Sequence, residues 1–120
     1  KKNVKFTFTP HLSPMFRGIL STIYLNIKNG TSIKKISLEL KNFYKNDKFI
    51  KILPENSLIS TNDVINTNYC YVSVCKTMDK NKIIILSAID NLIKGGAGQA
   101  VQNLNYYFGY NLKKGLVWKI

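Results

Sequence analysis

Two strand patterns separated by a short turn constrain the fold more than any other feature of this sequence. Residues 64–76 and 82–89 are rich in β-branched and aromatic side chains, and residues 78–81 between them are turn formers. Such a pattern predicts an antiparallel hairpin. The polar residues at 66–68 are expected to interrupt the first strand. The hairpin therefore places a β-sheet at the centre of the fold.

Further patterns add strands and two helices to the hairpin. Apolar alternation at 4–9 predicts a half-buried strand, and β-branched runs predict strands at 19–28 and 49–53. After an N-cap at residues 31–32, a helical period places apolar residues on one face and lysines on the other: Ile33, Ile36, Leu40 and Phe43 against Lys34, Lys41 and Lys45. A second helix is predicted at 95–108, with one face formed by Ala97, Val101, Leu104 and Phe108. The order β-β-α-β-β-β-α predicts an α/β (α+β) fold in which helices pack on a mixed sheet.

Length and composition exclude several classes of protein. The chain has 120 residues, of which 45% are hydrophobic, which is enough for one packed domain. Its longest apolar run, residues 83–86, is far shorter than the roughly 20 residues of a membrane span. No leader pattern indicates export, so we expect a cytoplasmic protein without a membrane partner. Cys70 and Cys75 lie on opposite faces of one predicted strand, and with a single histidine they predict neither a disulfide framework nor a metal site.

The net charge of +12 suggests a nucleic-acid partner, but its makeup argues otherwise. Seventeen of the 18 cations are lysine, and Lys, Asn and Ile together fill 46 of the 120 positions. These residues share A/T-rich codons, so the charge is typical of a protein from an AT-rich genome. The lysines form no stripe and the aromatic residues fall mostly on apolar faces, which predicts no specific nucleic-acid site. Non-specific attraction to polyanions at low salt is still expected.

A proline-stiffened loop after the first predicted strand carries one candidate site. The loop contains His11, which is the single imidazole of the chain, and ends at Arg17, which is the single guanidinium. A histidine can polarise or protonate a ligand near neutral pH, and an arginine can hold a carboxylate or phosphate through two hydrogen bonds. The structural alternative is a capped turn with an exposed cation.

A glycine cluster at the start of the second helix carries another candidate site. Gly95, Gly96 and Gly98 let a ligand approach the backbone, and free N–H groups at a helix start favour anions. The cluster does not follow the G-x-G-x-x-G pattern, and a closely packed helix start is the alternative. Neither cysteine has a base nearby in the sequence, and no carboxylate pair stands out. The residues alone predict a ligand-contacting edge without a complete active site.

Several stretches of the sequence together resemble one enzyme family. They are Phe8-Thr9-Pro10-His11-Leu12, Arg17-Gly18-Ile19, Asn68-Tyr69-Cys70, Ser87-Ala88-Ile89-Asp90-Asn91-Leu92-Ile93-Lys94-Gly95 and Gly98-Gln99-Ala100-Val101-Gln102-Asn103. In order and spacing they resemble the C-terminal part of N-acetyl-gamma-glutamyl-phosphate reductases, relatives of the aspartate-semialdehyde dehydrogenases. The resemblance implies a partial C-terminal substrate and dimerisation domain at 1–109, including the helix at 95–108, and a C-terminal tail at 110–120. It also implies that the family's N-terminal Rossmann domain is missing and that a homo-oligomer forms through the sheet.

The resemblance further implies an activity and the residues that support it. The family reduces N-acetyl-glutamyl 5-phosphate to the semialdehyde with NADPH, in arginine biosynthesis. Its catalytic cysteine and histidine lie upstream of the match, so this chain alone, as a fragment, is expected to be inactive and not to bind NADP tightly. His11 and Arg17 are implied on the substrate side. The nicotinamide end of NADP is implied to lie near Gly95, Gly96, Ala97, Gly98, Gln99 and Asn103.

The sequence departs from the family pattern in and beside the predicted hairpin. Ile65 and Asn66 stand where Arg-Gly is usual, Tyr71 stands where an acidic residue is usual, and Gly96 stands where alanine is commoner. The alternative to a reductase segment is a non-enzymatic basic α+β module that binds polyanions, or a decayed gene product.

Overall fold

The computed structural model of the protein describes residues 5–117. Within this range the chain forms a mixed α+β fold, as predicted. The elements follow in the order β1 Ile19–Asn26, α1 Ile33–Phe43, β2 Ile50–Ile52, a 3₁₀ turn Thr61–Asp63, β3 Cys70–Lys76, β4 Lys82–Ile89, a π-helical turn Ile93–Ala97 and α2 Gly98–Tyr107. The Ser32 hydroxyl accepts a hydrogen bond from the Lys35 N–H, which confirms the predicted N-cap of α1.

A four-stranded sheet in the order β1-β4-β3-β2 lies at the centre of the fold. β3 and β4 are antiparallel, with Val74 opposite Ile85, which confirms the predicted hairpin. β1 pairs with β4 in antiparallel orientation, and β2 pairs with β3 in parallel. α1 carries the chain from one edge of the sheet to the other, so β1 and β2 run in the same direction at opposite edges.

The strand predicted at 4–9 is wrong for residues 5–9, while Val4 lies outside the described residues. Residues 5–9 have no regular secondary structure, and Phe6 and Phe8 are 83% and 78% exposed. An alternating pattern forms a strand only where a neighbouring strand accepts its backbone hydrogen bonds. In the described part of the chain, β1 pairs with β4 alone, and residues 5–9 join neither edge of the sheet.

The segment at 64–69, predicted as part of a strand, forms a turn instead. The Ser60 side chain and the Asp63 carboxylate cap the 3₁₀ turn reciprocally, and the carboxylate accepts the Ser60 N–H at 2.7 Å. Asn66 then adopts a φ of +61°, a left-handed conformation that interrupts any strand. These local preferences confirm the expected interruption and delay the start of β3 to Cys70.

The connection between β2 and β3 covers one part of the sheet, and α1 covers another. Ile59 and Val64 of this connection pack against Ala88 of β4 and form the buried apolar cluster. α1 contacts β2 and β3. Strand geometry places Cys70 and Cys75 on opposite faces of β3. Their sulfurs accordingly have different neighbours: the Ser87 hydroxyl at 3.5 Å from Cys70 Sγ, and the Ser57 carbonyl at 3.7 Å from Cys75 Sγ.

The second helix starts later than predicted and turns a polar side inward. The π-helical turn occupies residues 93–97, and Gly96 breaks it with a non-helical φ of −145° and ψ of −112°. In α2 the apolar residues Val101 and Leu104 are 39% and 50% exposed, whereas Asn105 is buried. The Asn105 amide donates to the Leu112 and Lys114 carbonyls, so the chain after α2 folds back onto the helix.

Much apolar surface of the described chain faces outward. All eight residues of β1 are exposed, and Tyr24 and Phe108 belong to a larger group of exposed Phe and Tyr side chains that includes Phe43, Tyr106 and Tyr107. The sequence places most Phe and Tyr residues on apolar faces, and in the described chain many of these faces are exposed, because few elements pack over β1 and α2. Neither helix of the described range is long and apolar enough to cross a membrane.

Candidate functional site

The loop that leads into β1 is attached to the end of β4. The Arg17 guanidinium donates from Nη1 to Asp90 Oδ2 at 3.1 Å and to Asn66 Oδ1 at 2.9 Å. The next N–H, that of Gly18, donates to Asn91 Oδ1 at 2.7 Å. Two adjacent residues of the loop thus bind two adjacent residues after β4. We call these five residues the strand-end junction.

Gly18 is required at the junction for two physical reasons. Its φ is +106°, which L-residues with a side chain rarely adopt. A Cβ at this position would also lie 2.5 Å from Thr61 Cβ of the 3₁₀ turn. The loop therefore approaches the 3₁₀ turn more closely than any other residue type allows.

Asp90 is the centre of the junction and has no exposed surface. Its Oδ1 accepts the backbone N–H groups of Leu92 and Ile93 at 2.8 and 3.0 Å. Its Oδ2 accepts the Asn66 N–H at 2.9 Å and the Arg17 guanidinium. Burial opposes ionisation, but the three backbone N–H groups and the arginine outweigh it and lower the pKa of Asp90 below its ordinary 3.8. The residue is therefore a carboxylate at neutral pH.

A second cluster joins the π-helical turn, α2 and the residues before β3. Gln102 Oε1 accepts from Lys94 Nζ at 2.8 Å and from Asn68 Nδ2 at 3.0 Å. Because an ammonium group only donates, Lys94 fixes the orientation of the Gln102 amide, and Gln102 in turn fixes that of Asn68. Burial lowers the pKa of Lys94 from its ordinary 10.5, although the negative charge of Asp47 opposes the shift.

Gly98 is held tightly where the turn passes into α2. A Cβ on Gly98 would collide with Asn68 Oδ1, with Ile93 Cγ2 at 2.6 Å and with the Ile93 carbonyl oxygen at 2.8 Å. Asn68 Oδ1 is buried, and none of the described residues donates a hydrogen bond to it. The alternative noted from the sequence, a closely packed helix start, therefore describes Gly98 well.

The remaining residues of the glycine cluster form an open edge. Gly95, Gly96 and Ala97 are exposed. A Cβ on Gly95 would make only ordinary van der Waals contacts, the nearest with Ile89 Cδ1 at 3.4 Å. Beyond them on α2, Gln99 Nε2 donates to Asn103 Oδ1 at 2.8 Å. We call residues 93–98 the glycine turn. Its outer side and the Gln99–Asn103 pair form a polar surface that a ligand can reach.

His11 lies in the loop before β1 and makes no hydrogen bond to this surface in the described part of the chain. Its ring Nδ1 lies 3.2 Å from the Thr9 carbonyl oxygen, and the side chain is exposed. Among the described residues no hydrogen bond joins His11 to Arg17 or to the glycine turn. Of the predicted site residues, Arg17 and the glycine turn are thus linked through Asp90, and His11 takes no part in these hydrogen bonds.

Sequence reasoning missed the residues that hold the candidate site in place. Asp90, Asn91, Asn68 and Gln102 all lie within the stretches that carry the family resemblance, yet none was selected as functional. A polar run directly after a predicted strand, such as the one that begins at Asp90, is the signal that could have identified them.

An open groove of about 420 Å³ lies beside this site, between the end of α1 and α2. Its walls combine aromatic rings, amides and one carboxylate: Phe43, Tyr44, Asn46, Asp47, Gln102, Asn103, Tyr106 and Leu112. Asn103 is the one predicted site residue among them. None of the described residues that line the groove is a cysteine, serine, lysine or histidine.

Comparison with curated proteins finds relatives with one recurring name. The chain is 47% identical over 97% of its length to an N-acetyl-gamma-glutamyl-phosphate reductase of Clostridium kluyveri, and 46% identical over 88% to one of Desulforamulus reducens. It is 42% identical over 98% to a probable chloroplastic reductase of that name from Arabidopsis thaliana. The chain spans about a third of the length of these relatives, 34%, 31% and 29% respectively.

A family model matches most of the described fold. Residues 1–91 match the semialdehyde dehydrogenase dimerisation domain, a stretch that includes β1 to β4 and ends inside the strand-end junction at Asn91. The four-stranded mixed sheet agrees with this assignment. The chain belongs to the semialdehyde dehydrogenase dimerisation-domain family.

Proposed function

We propose that the chain supplies the substrate and dimerisation part of an NADP-dependent N-acetyl-gamma-glutamyl-phosphate reductase. The observation that carries the proposal is the 47% identity to the Clostridium kluyveri reductase, which extends over nearly the whole chain. The family assignment supports the proposal further, because the matching family is described as the dimerisation domain of semialdehyde dehydrogenases. Homo-oligomer formation through the sheet fits the exposed apolar residues of β1.

The proposed roles divide the candidate site into two sides. Arg17 and His11 are assigned to the substrate side, where the acyl phosphate carries negative charge. The glycine turn with Gln99 and Asn103 is assigned to the nicotinamide side, because its exposed backbone permits close approach of a planar ring. The catalytic cysteine and histidine are expected outside this chain. When NADPH is bound, it supplies the hydride for the reduction.

The most direct test of the function is a chimera. The segment of the Clostridium kluyveri reductase that matches this chain is replaced by residues 1–120, and NADPH-dependent turnover of N-acetyl-glutamyl phosphate is measured. We expect turnover within about tenfold of the parent enzyme. The parent still supplies the reacting groups, and residues 1–120 replace only the part of the pocket that surrounds them. A chimera that folds and has the oligomeric state of the parent, yet lacks turnover, would contradict the proposal.

A matched variant of the chimera tests the division of the site. Asn103→Ala removes one member of the exposed pair on the nicotinamide side, and Asn42→Ala removes an exposed asparagine of α1 as a control. We expect Asn103→Ala to raise the KM for NADPH and Asn42→Ala to leave it unchanged. An equal change in the KM for NADPH in the two variants would contradict the assignment of Asn103 to the cofactor side.

The isolated chain is expected to give no NADPH turnover with the acyl phosphate. The competing function, polyanion binding, rests on the 17 lysines, of which nearly all that are described are exposed. Retention of the chain on DNA that survives 0.2 M salt, together with an inactive chimera, would favour that function over the reductase.

A further inference from the structure

One buried carboxylate serves two elements that belong to different sides of the candidate site. Asp90 Oδ2 accepts from Arg17 and from the Asn66 N–H, on the side of the loop before β1. Asp90 Oδ1 accepts from the N–H groups of Leu92 and Ile93, which begin the glycine turn. A rotation of this carboxylate therefore disturbs both sets of hydrogen bonds together.

The geometry of the glycine turn begins at the same residue. The Gly95 N–H donates to the Asp90 carbonyl at 2.9 Å, and the Ala97 N–H donates to the Leu92 carbonyl at 2.9 Å. Because Leu92 is itself held by Asp90 Oδ1, both hydrogen bonds depend on where Asp90 lies. The exposed edge at Gly95–Ala97 thus takes its position from a side chain buried beneath it.

Arg17 is the group that neutralises this buried charge. Its side chain is 29% exposed, and Asp90 is the one carboxylate that it contacts among the described residues. A buried carboxylate that loses its cationic partner is strongly disfavoured unless it moves or takes up a proton. The conformation of Asp90 therefore depends on Arg17, although the two residues lie 73 positions apart.

We propose that Asp90 is a positioning residue that couples the Arg17 loop to the glycine turn, with Arg17 as the partner that holds it. A displacement of Arg17 loosens the Leu92 and Ile93 amides, and a displacement of the turn loosens Arg17, because both act on one carboxylate. The coupling is a property of this chain. The statement that this coupling links the substrate side to the nicotinamide side rests on the proposed function.

The coupling is tested by amide hydrogen exchange on the ¹⁵N-labelled 120-residue chain. Arg17→Gln removes the cation, and Lys82→Gln is the matched control because it removes the other described ion pair, the exposed Lys82–Asp79 pair at 3.3 Å. We expect Arg17→Gln to accelerate exchange at Leu92 and Ile93 by about tenfold beyond any change at Val74 in the centre of β3. Lys82→Gln is expected to leave Leu92 and Ile93 unchanged.

The conservative variant separates positioning from general destabilisation. Arg17→Lys keeps the positive charge but replaces the planar guanidinium, with its fixed N–H directions, by a flexible ammonium group. The exchange rates at Leu92 and Ile93 should therefore fall between those of the wild type and Arg17→Gln. Acceleration of all three amides by the same factor would mean that Arg17 acts only on global stability, and the coupling would be rejected. Unchanged exchange at Leu92 and Ile93 would reject it as well.

A measurement on the wild type covers the case in which Arg17→Gln does not fold. The amides of Asn66, Leu92 and Ile93 share one acceptor side chain, so they should open together with protection factors that agree within about threefold. Protection factors that differ by more than a hundredfold among the three would contradict the coupling. This result does not depend on reductase activity, so it can fail or succeed separately from the chimera.

Discussion

The strand-end junction and the outer surfaces of β1 and α2 use their side chains in opposite ways. At the junction, polar groups are bonded to one another around a buried carboxylate, and Asp90 accepts four hydrogen bonds without any contact with solvent. On β1 and α2, apolar side chains such as Ile23, Val101 and Leu104 face outward. The two regions therefore reverse the usual distribution of polar and apolar groups.

The contrast separates what the chain completes by itself from what it leaves for a partner. At the junction, both oxygens of the buried Asp90 carboxylate are hydrogen-bonded within the chain, as burial of a charged group requires. The exposed apolar side chains of β1 and α2 are typical of a surface that contacts another protein surface. Of the stretches that carry the family resemblance, Arg17, Gly18, Asp90 and Asn91 belong to the junction, whereas residues 98–103 lie in α2.

Gly98→Ala should give the largest effect and tests the close packing beside the junction. The new Cβ would collide with the Asn68 side chain and the Ile93 carbonyl, so we expect a loss of about 3 kcal/mol in the free energy of unfolding. Gly95→Ala, three positions earlier, meets only ordinary contacts and should change stability by less than about 1 kcal/mol. Urea denaturation of both variants checks this, and equal losses would show that the collision is relieved by movement of α2.

Asp90→Asn should give the next largest effect and tests the buried carboxylate. The amide nitrogen of the new side chain would face donors, so we expect a loss of about 2 kcal/mol by urea denaturation. Asp79→Asn is the control, because Asp79 lies in the exposed turn between β3 and β4, and no measurable change is expected there. A loss at Asp90 no greater than the loss at Asp79 would mean that the junction contributes little to stability.

The acid dependence of stability sharpens the same contrast. Because the folded pKa of Asp90 lies below 3.8, its contribution to stability is fully present above the pKa of the unfolded state and is lost as the pH falls through the lower folded value. The wild type should therefore lose stability between about pH 5 and pH 2 more steeply than Asp90→Asn. Urea midpoints across this range test the expectation, and parallel curves for the two proteins would contradict it.

Substitution on the outer surface of β1 should have the smallest effect on folding and a large effect on association. Leu20 and Tyr24 share one face of β1 and are 46% and 72% exposed, so Leu20→Lys with Tyr24→Lys should change the free energy of unfolding by about 0.5 kcal/mol. We expect the wild-type chain to form oligomers and the double variant to dissociate in light scattering. A monodisperse wild-type monomer would contradict the account of this surface.

The sequence predicted those parts of the fold that local signals determine. α1 was found from its N-cap and its helical period, and the hairpin from the turn between β3 and β4. The prediction of a strand at 4–9 is wrong for residues 5–9 because alternating apolar and polar residues are compatible with a strand but do not show that a neighbouring strand is present to pair with it. The second helix begins later than the periodicity predicts because Gly96 adopts a non-helical φ and ψ, which a periodic pattern of side chains does not encode.

The sequence indicates several members of the candidate site, and their functional roles stay predictions. Arg17 and the glycines were selected from residue type, and the structure brings them together. Asp90, which joins them, escaped notice because its partner lies 73 positions away and a single aspartate after a strand has no distinctive spacing. The outward orientation of the apolar side of α2 also could not be foreseen, since a period gives the faces of a helix but not which face is covered.

A double-mutant cycle on Arg17 and Asp90 tests the central claim most directly. The free energies of unfolding of the wild type, Arg17→Gln, Asp90→Asn and the double variant give the interaction between the two side chains. The account predicts a coupling energy of about 1–3 kcal/mol, because the pair is partly buried and bonded. A coupling energy indistinguishable from zero would mean that the junction does not hold the two sides of the site together.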